Sequence, residues 1–365
     1  MPSIPEADLE HVLAHTRGLW EPLRGSHLFV TGGTGFFGRW LLESFAFANQ
    51  RLDLGAQMTV LTRDPVAFKQ RLPEVAGQSC LTFVKGDVTD FTLRQVRGQL
   101  PAGHPGTYSF VIHAATEASA QLNENDPLRM IDTIVAGTRR TLDFAAECGA
   151  HRFLFTSSGA VYGAQPPDVT HVSEEYSGGP DCNNPRSAYG EAKRLAELLC
   201  ACYSGRGIEA LIARCFAFVG PGLPLDIHFA VGNFIRDSLN GGPIRIGGDG
   251  TPCRSYLYAA DLAIWLWHIL FRATPNRPYN VGSDASLSIA ELAALVAESS
   301  GEPVEVCIAR PGTPDAPPSR YVPSTCRAAS ELGLENWIPL PEALHRTFAW
   351  NRAGAPALAP AVTKS

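Results

Sequence analysis

Three glycines, Gly32, Gly35 and Gly38, follow directly on the apolar run His27-Leu-Phe-Val-Thr31 and precede a helical pattern that starts near Arg39. A strand that runs into glycines at i, i+3 and i+6, and then into a helix, has few folds open to it. Gly32 can make the tight turn, Gly35 lets backbone amides approach an anion, and Gly38 lets the helix cross close to the strand. The helix N-terminus offers partial positive charge and unpaired N–H groups to a pyrophosphate. An ordinary glycine turn has the same spacing. The strand before it and the helix after it favour a dinucleotide site, with Thr34, Phe36 and Phe37 completing the loop.

The rest of the chain repeats the theme. From about Gly25, short β-rich runs alternate with longer helical stretches: His27–Thr31, Met58–Thr62, Leu81–Lys85, Ser109–His113, Arg152–Thr156, Ala210–Arg214 and Tyr279–Val281 read as strands. Arg39–Asn49, Met130–Cys148 and Ala188–Tyr203 read as helices between them. Nearly continuous apolar strands alternating with helices predict an α/β fold, a doubly wound parallel (Rossmann) sheet covered on both faces, with ligands at the carboxyl ends of the strands. After about Phe216 the texture turns to Gly, Pro and isolated aromatics, including Pro311 to Pro323, as suits a smaller C-terminal substrate lobe. The expected division is an N-terminal helical extension over 1–24, a dinucleotide-binding domain over 25–215 and a lobe over 216–350. Residues from about 256 to 283 are expected to return to the main domain, and 351–365 form a tail.

Composition narrows the class. The 365 residues carry 45% hydrophobic and 18% charged residues, enough for a large core, with a net charge of −6 that gives no support to nucleic-acid binding. Nine cysteines form an odd set without a CxxC pair, so neither a disulfide framework nor a structural metal site is expected. The longest apolar run, Leu262 to Phe271, is too short to span a bilayer and reads as a buried helix. MPSIPEADLEHVL has neither the basic nor the apolar region of a secretory signal, so a cytoplasmic protein without a membrane partner is expected.

At the end of the second strand, where dinucleotide sites place an acid for the ribose hydroxyls, stands Leu61-Thr62-Arg63-Asp64. Arg63 there can pair with a 2′-phosphate, which favours NADP(H) slightly; a one-residue shift restores the acid and leaves NAD(H) open. Asp87, with Val88 beside it after the third strand, either faces the adenine or caps its own turn. Ala114 and Ala115 leave room for a cofactor against the fourth strand, and His113 reads as a packed core histidine.

Tyr189 and Lys193 stand four apart on a predicted helix and share one face, with Thr156-Ser-Ser158 upstream at a strand end. A phenol ordinarily titrates near 10. A neighbouring ammonium lowers that value, and a hydroxyl from Ser158 orients the reacting oxygen. Such a group moves a proton on or off a secondary alcohol; a surface helix pair has the same spacing by chance.

With these residues the chain resembles the extended short-chain dehydrogenases/reductases, in the NAD-dependent epimerase/dehydratase group that acts on nucleotide sugars. The likeness runs from about Ser26 to Trp350 through TGGTGFFG (31–38), GDV (86–88), HAA (113–115), TSSGAVYG (156–163), YGEAK (189–193), VGPG (219–222), NFI (233–235), RSYLYAADL (254–262) and PYNVGS (278–283). The resemblance implies that Ser158, Tyr189 and Lys193 are catalytic and that Thr156 borders the nicotinamide. It places substrate diphosphate contacts on Asn233, Arg254 and Arg320, and it implies a homodimer through the helices Met130–Cys148 and Ala188–Tyr203.

Departures matter too. Gly159 and Ala160 stand where similar dehydratases and decarboxylases carry acids, Ala217 replaces an asparagine of the RxFNxYGP pattern, and Ile134 replaces the asparagine of NVxGT. Glycine and alanine cannot protonate a leaving group. The reading that follows is hydride transfer at C4 of a nucleotide-linked hexose, by a 4-epimerase or a 4-ketoreductase. A 4,6-dehydratase or decarboxylase using other acid groups is the alternative. A non-catalytic dinucleotide sensor is disfavoured because Ser158, Tyr189 and Lys193 are all present.

Overall fold

The structure, a computed structural model, describes residues 1–116, 120–227, 229–312 and 317–354. Of the tail expected at 351–365, only 351–354 fall among them.

Seven strands form the central sheet: β1 (His27–Thr31), β2 (Gln57–Thr62), β3 (Leu81–Lys85), β4 (Phe110–His113), β5 (Arg152–Ser158), β6 (Glu209–Cys215) and β7 (Pro278–Val281). Their order is β7-β6-β5-β4-β1-β2-β3, and every neighbouring pair is parallel. The doubly wound sheet expected from the strand–helix alternation is therefore the one that forms. Strand order reverses between β1 and β4, which opens a crevice at their carboxyl ends.

Both faces of the sheet are buried, because successive side chains point to opposite sides. Leu28 and Val30 of β1 join one core with Leu154 of β5 and Leu211 of β6. Phe29, Phe153, Phe155 and Ile212 from the same strands join the other. The run from Leu262 to Phe271 belongs to the helix Ala259–Arg272, in which Trp265 and Trp267 are fully buried. Each indole N–H finds an acceptor, at the Glu335 carbonyl and at Ser44 Oγ, both at 3.0 Å. No helix among the described residues is long and apolar enough to cross a membrane.

The N-terminal helix Glu6–Thr16 packs on Ala259–Arg272. Polar groups hold it there: buried Asp8 accepts from the Tyr258 hydroxyl and from Arg346, each at 2.6 Å. The Ile4 amide donates to Glu43 Oε2 at 2.7 Å. At the far side of the crevice, the two-residue strand Cys253–Arg254 pairs in parallel with Arg320–Tyr321 and antiparallel with Leu287–Ser288.

Candidate active site

The glycine-rich turn sits at the switch point. Gly32 has φ +74, and a Cβ there would lie 2.4 Å from the backbone of Ala114 and Ala115. The end of β4 and the turn after β1 therefore touch backbone to backbone, which requires small residues. A Cβ at Gly38 would lie 2.3 Å from the Gly32 carbonyl, as expected where helix and strand cross closely. Gly35 is different: nothing lies nearer than 3.5 Å to its notional Cβ, and it caps the helix Phe36–Arg51 without any side-chain acceptor. The first amides of that helix are thus left to an external anion, and the loop fits a pyrophosphate. Arg71 reaches back from the next helix and donates to the Thr34 carbonyl at 2.8 Å, which braces the loop.

Around the adenosine end, Arg63 is exposed beyond β2, and Thr62 is buried. Asp64 is engaged elsewhere, capping the following helix by accepting from the Ala67 amide at 2.9 Å. Asp87 accepts from the Thr89 amide and hydroxyl at 2.9 and 2.7 Å, so the turn-capping role is the one its Oδ1 performs. Those bonds, with Arg63 and Arg129 nearby, hold its carboxyl below the usual range. Val88 packs toward Gly137. His113 is a core residue, with Nδ1 paired to Thr31 Oγ1 at 2.7 Å and Nε2 to Thr138 Oγ1 at 3.1 Å. Burial pushes its imidazole down to about 3, so it is neutral at pH 7.

β5 extends past Thr156 and ends on Ser158. Tyr189 and Lys193 lie in the first turns of the helix Ala188–Ser204, which packs on β5. Ser158 stands near enough to Tyr189 to lower its phenol, and its Oγ accepts from the Ala160 amide at 3.2 Å. Lys193 is 1% exposed and donates from Nζ to Thr116 Oγ1 at 2.7 Å and to the Thr156 carbonyl at 2.8 Å. Thr156 itself donates to the His113 carbonyl at 3.3 Å, tying β5 to β4.

The electrostatics correct one expectation. In the protein alone the ammonium does not hold the Tyr189 phenol down. Burial pushes the phenol up to about 12, opposed in part by the nearby Ser158 hydroxyl. The Lys193 Nζ is 5.9 Å from the tyrosine ring centroid, and burial pushes it down to about 8. Desolvation is the largest influence on each group.

The substrate-side residues are only partly gathered. Asn233 sits on the helix Ala230–Leu239 with its Oδ1 accepting from Arg236 at 3.2 Å. Arg254 and Tyr321 are register partners and share a face, with the guanidinium 6.0 Å from the ring centroid. Arg320, one residue before, takes the opposite face by strand alternation, and its Nε is buried with no hydrogen-bond partner among the described residues.

Three contributors escaped sequence reasoning. Thr116 follows the HAA segment and holds Lys193. Asn123 Oδ1 accepts from the Tyr189 amide at 2.9 Å, pinning the helix start. Tyr321 brings its hydroxyl to 3.5 Å from Ser158 Oγ. Only Thr116 had a signal, its place directly after a motif; the other two depend on packing between distant segments.

A parallel sheet in this order, a glycine-rich turn at its switch point and a Ser–Tyr–Lys group at the end of β5 define an extended short-chain dehydrogenase/reductase. Residues 28–282 match the NAD-dependent epimerase/dehydratase family, and the chain belongs to that family of enzymes. A curated relative, UDP-glucuronic acid decarboxylase 6 of Arabidopsis thaliana, is 31% identical over 331 residues, covering 88% of this chain and 90% of its own. Among solved structures, epimerase Mth375 of Methanothermobacter thermautotrophicus superposes with a TM-score of 0.76 at 26% identity, over 94% of this chain and 96% of that one. The dTDP-glucose 4,6-dehydratase DesIV of Streptomyces venezuelae, solved with NAD bound, gives 0.73 at 25% identity, over 90% and 97%.

Proposed function

We propose that the protein oxidises or reduces C4 of a nucleotide-linked sugar, as a 4-epimerase or 4-ketoreductase. One observation carries this reading: Ser158 ends β5, the buried Lys193 amine donates to the Thr156 carbonyl of that strand, and Tyr189 stands one helical turn before Lys193, near a turn that leaves the first amides of Phe36–Arg51 without a side-chain cap. Gly32, Gly35, Gly38 and the first turn of Phe36–Arg51 would hold the pyrophosphate, with Ala114 and Ala115 leaving room beside β4. A bound nicotinamide would supply the two-electron acceptor and a positive charge at the phenol. In the reductive direction the Tyr189 phenol, protonated in the protein alone at neutral pH, donates its proton to a 4-keto oxygen and becomes a phenolate; in the oxidative direction that phenolate takes the proton of the 4-hydroxyl. Ser158 orients that oxygen, and Lys193 braces β5 against the helix. Arg254 suits a diphosphate oxygen.

A second reading, decarboxylation of a nucleotide-linked uronate, is favoured by the relatives, which include UDP-glucuronic acid decarboxylases. It shares the first step: oxidation at C4 makes the carboxylate at C5 a β-keto acid, which loses carbon dioxide. Gly159 and Ala160 offer no acid beside Ser158, so the proton returned to C5 would have to come from elsewhere. Exposed Arg63 supports a 2′-phosphate on the coenzyme, and exposed Leu128 on the helix Pro127–Cys148 with exposed Leu195 and Leu198 on Ala188–Ser204 supports a homodimer.

One experiment separates the readings. UDP-glucuronate, UDP-hexoses and 4-keto-6-deoxy nucleotide sugars are incubated with NAD+, NADP+ or their reduced forms, and products are read by proton NMR. A C4 epimer, or stoichiometric NAD(P)H loss on a 4-keto substrate, supports the first; a pentose with carbon dioxide supports the second. Tyr189→Phe should abolish either while leaving coenzyme affinity within twofold. Undiminished turnover by that variant would sink both.

A further inference from the structure

Between Thr156 and Ser158 on β5 stands Ser157, whose side chain leaves the strand toward the helix Ala188–Ser204. Its Oγ donates to Glu197 Oε1 at 2.6 Å, one helical turn beyond Lys193. Arg214, the register partner of Ser157 on β6, donates to the same carboxylate from Nε at 3.0 Å and from Nη2 at 2.7 Å. Its remaining nitrogen, Nη1, donates to the Tyr162 hydroxyl at 2.9 Å, and that hydroxyl donates to Asn280 Oδ1 on β7 at 2.7 Å. The side chains of Arg214 and Glu197 are 15% and 12% exposed. One carboxylate on the helix that carries Tyr189 and Lys193 is thus tied to β5 and β6, and through Arg214 and Tyr162 to β7.

We infer that Glu197 and Arg214 are positioning residues that fix where the helix bearing Tyr189 and Lys193 sits along β5. Stability is a poor reason for such a pair: removing two charges from water offsets most of their attraction, and apolar side chains of similar size would serve as well. Direction is what the pair adds, because a planar fork meets a planar carboxylate in one arrangement. Elsewhere the helix meets β5 through Ala192, Ala196 and Cys200 against Phe153 and Phe155, contacts that have no preferred direction. Thr156 and Ser157, consecutive on the strand, hold Lys193 and Glu197, four apart on the helix. Two attachments set both the place and the rotation of the helix, whereas Lys193 alone would leave it free to turn about one contact. The Tyr189 phenol, a turn before Lys193, inherits its position relative to Ser158 from this pair of ties. The inference rests on the proposed C4 chemistry, which gives Tyr189 its task.

The test compares stability with activity in the full-length protein, using coenzyme and the nucleotide sugar that the wild type turns over, well below each Tm. Glu197→Met combined with Arg214→Met removes both charges and keeps the bulk. Its Tm should hold within a few degrees and its coenzyme Kd within about twofold, while kcat falls about 10- to 100-fold from a misplaced phenol. Glu197→Gln strands the buried guanidinium and should melt below the paired variant, yet its amide oxygen still accepts from Ser157 and Arg214. Its kcat should fall only about fivefold, the worth of one hydrogen bond. The less stable variant is then the more active, an order that a merely structural ion pair would not produce. A paired variant with kcat within about twofold of wild type, or activities that follow Tm, would overturn the inference alone. Ser157→Ala, which cuts the tie to β5 and spares the ion pair, carries the test if the paired variant does not fold. An unchanged Tm with kcat about fivefold lower supports the inference, and an unchanged kcat overturns it. A wild type that binds coenzyme but turns over no nucleotide sugar would overturn the proposed chemistry and this inference with it.

Discussion

Replacing Gly35 and Gly38, three residues apart in one loop, by alanine should have opposite consequences. At Gly38 the new methyl would stand 2.3 Å from the Gly32 carbonyl oxygen and from Gly33 Cα, where ordinary contact begins at 3.4 Å. Both obstacles are backbone, so the helix Phe36–Arg51 must move about 1 Å off the strand, and overpacking of that kind costs about 1–3 kcal/mol. At Gly35 the nearest atom is 3.5 Å away, and φ −85 with ψ −174 is a conformation alanine adopts freely. The folded state should gain about 0.4–1 kcal/mol there, because the unfolded chain loses freedom. That methyl instead points into the space a pyrophosphate needs, and the same overpacking cost predicts a coenzyme Kd roughly 5- to 150-fold weaker. Thermal unfolding and calorimetric titration with NAD+ read the two effects. At on the order of 2 °C per kcal/mol, Gly38→Ala should lower Tm by a few degrees and Gly35→Ala should hold or raise it. Wild-type coenzyme affinity in Gly35→Ala, or a wild-type Tm in Gly38→Ala, would refute the assignment of separate jobs to these glycines.

Two further outcomes follow from buried charge. Lys193 falls from its ordinary 10.5 to about 8 in the folded protein, so between those values the unfolded chain holds more protons and stability rises with pH. Below pH 8 the penalty, about 3 kcal/mol, is present in full. Lys193→Met removes it but forfeits two hydrogen bonds, so the variant should compare best with wild type near pH 7 and progressively worse toward pH 10, read from guanidinium midpoints; the reverse trend would exclude burial as the cause. Asp8→Ala strands the buried Tyr258 hydroxyl and leaves Arg346 with Glu342 as its carboxylate partner, and should cost about 2 kcal/mol and a few degrees of Tm. An unchanged Tm would show that the N-terminal helix is not held by that carboxylate.

Sequence alone went far in this protein. Apolar runs of three to five residues bounded by turn formers and alternating with helices fit a covered parallel sheet, so β1 to β7 were legible to within two residues. The glycine spacing at 32, 35 and 38 and the tyrosine–lysine spacing at 189 and 193 are local geometry, set by one turn and one helical repeat. The core placement of His113 followed from its apolar neighbours. What tertiary structure alone decided is where segments distant in the chain meet, and with what field. The Tyr189 phenol sits high because packing strips water from it and the nearby Ser158 hydroxyl offsets only part of that. Arg254 and Arg320 look equivalent as arginines in a loop-rich lobe, yet the register of two short strands turns them to opposite faces. Tyr321 reaches Ser158 only because that same register, the Phe216 ring and the missing side chain at Gly159 coincide. Periodicity carries information over one element, whereas burial and contact across the crevice are sums over the whole fold.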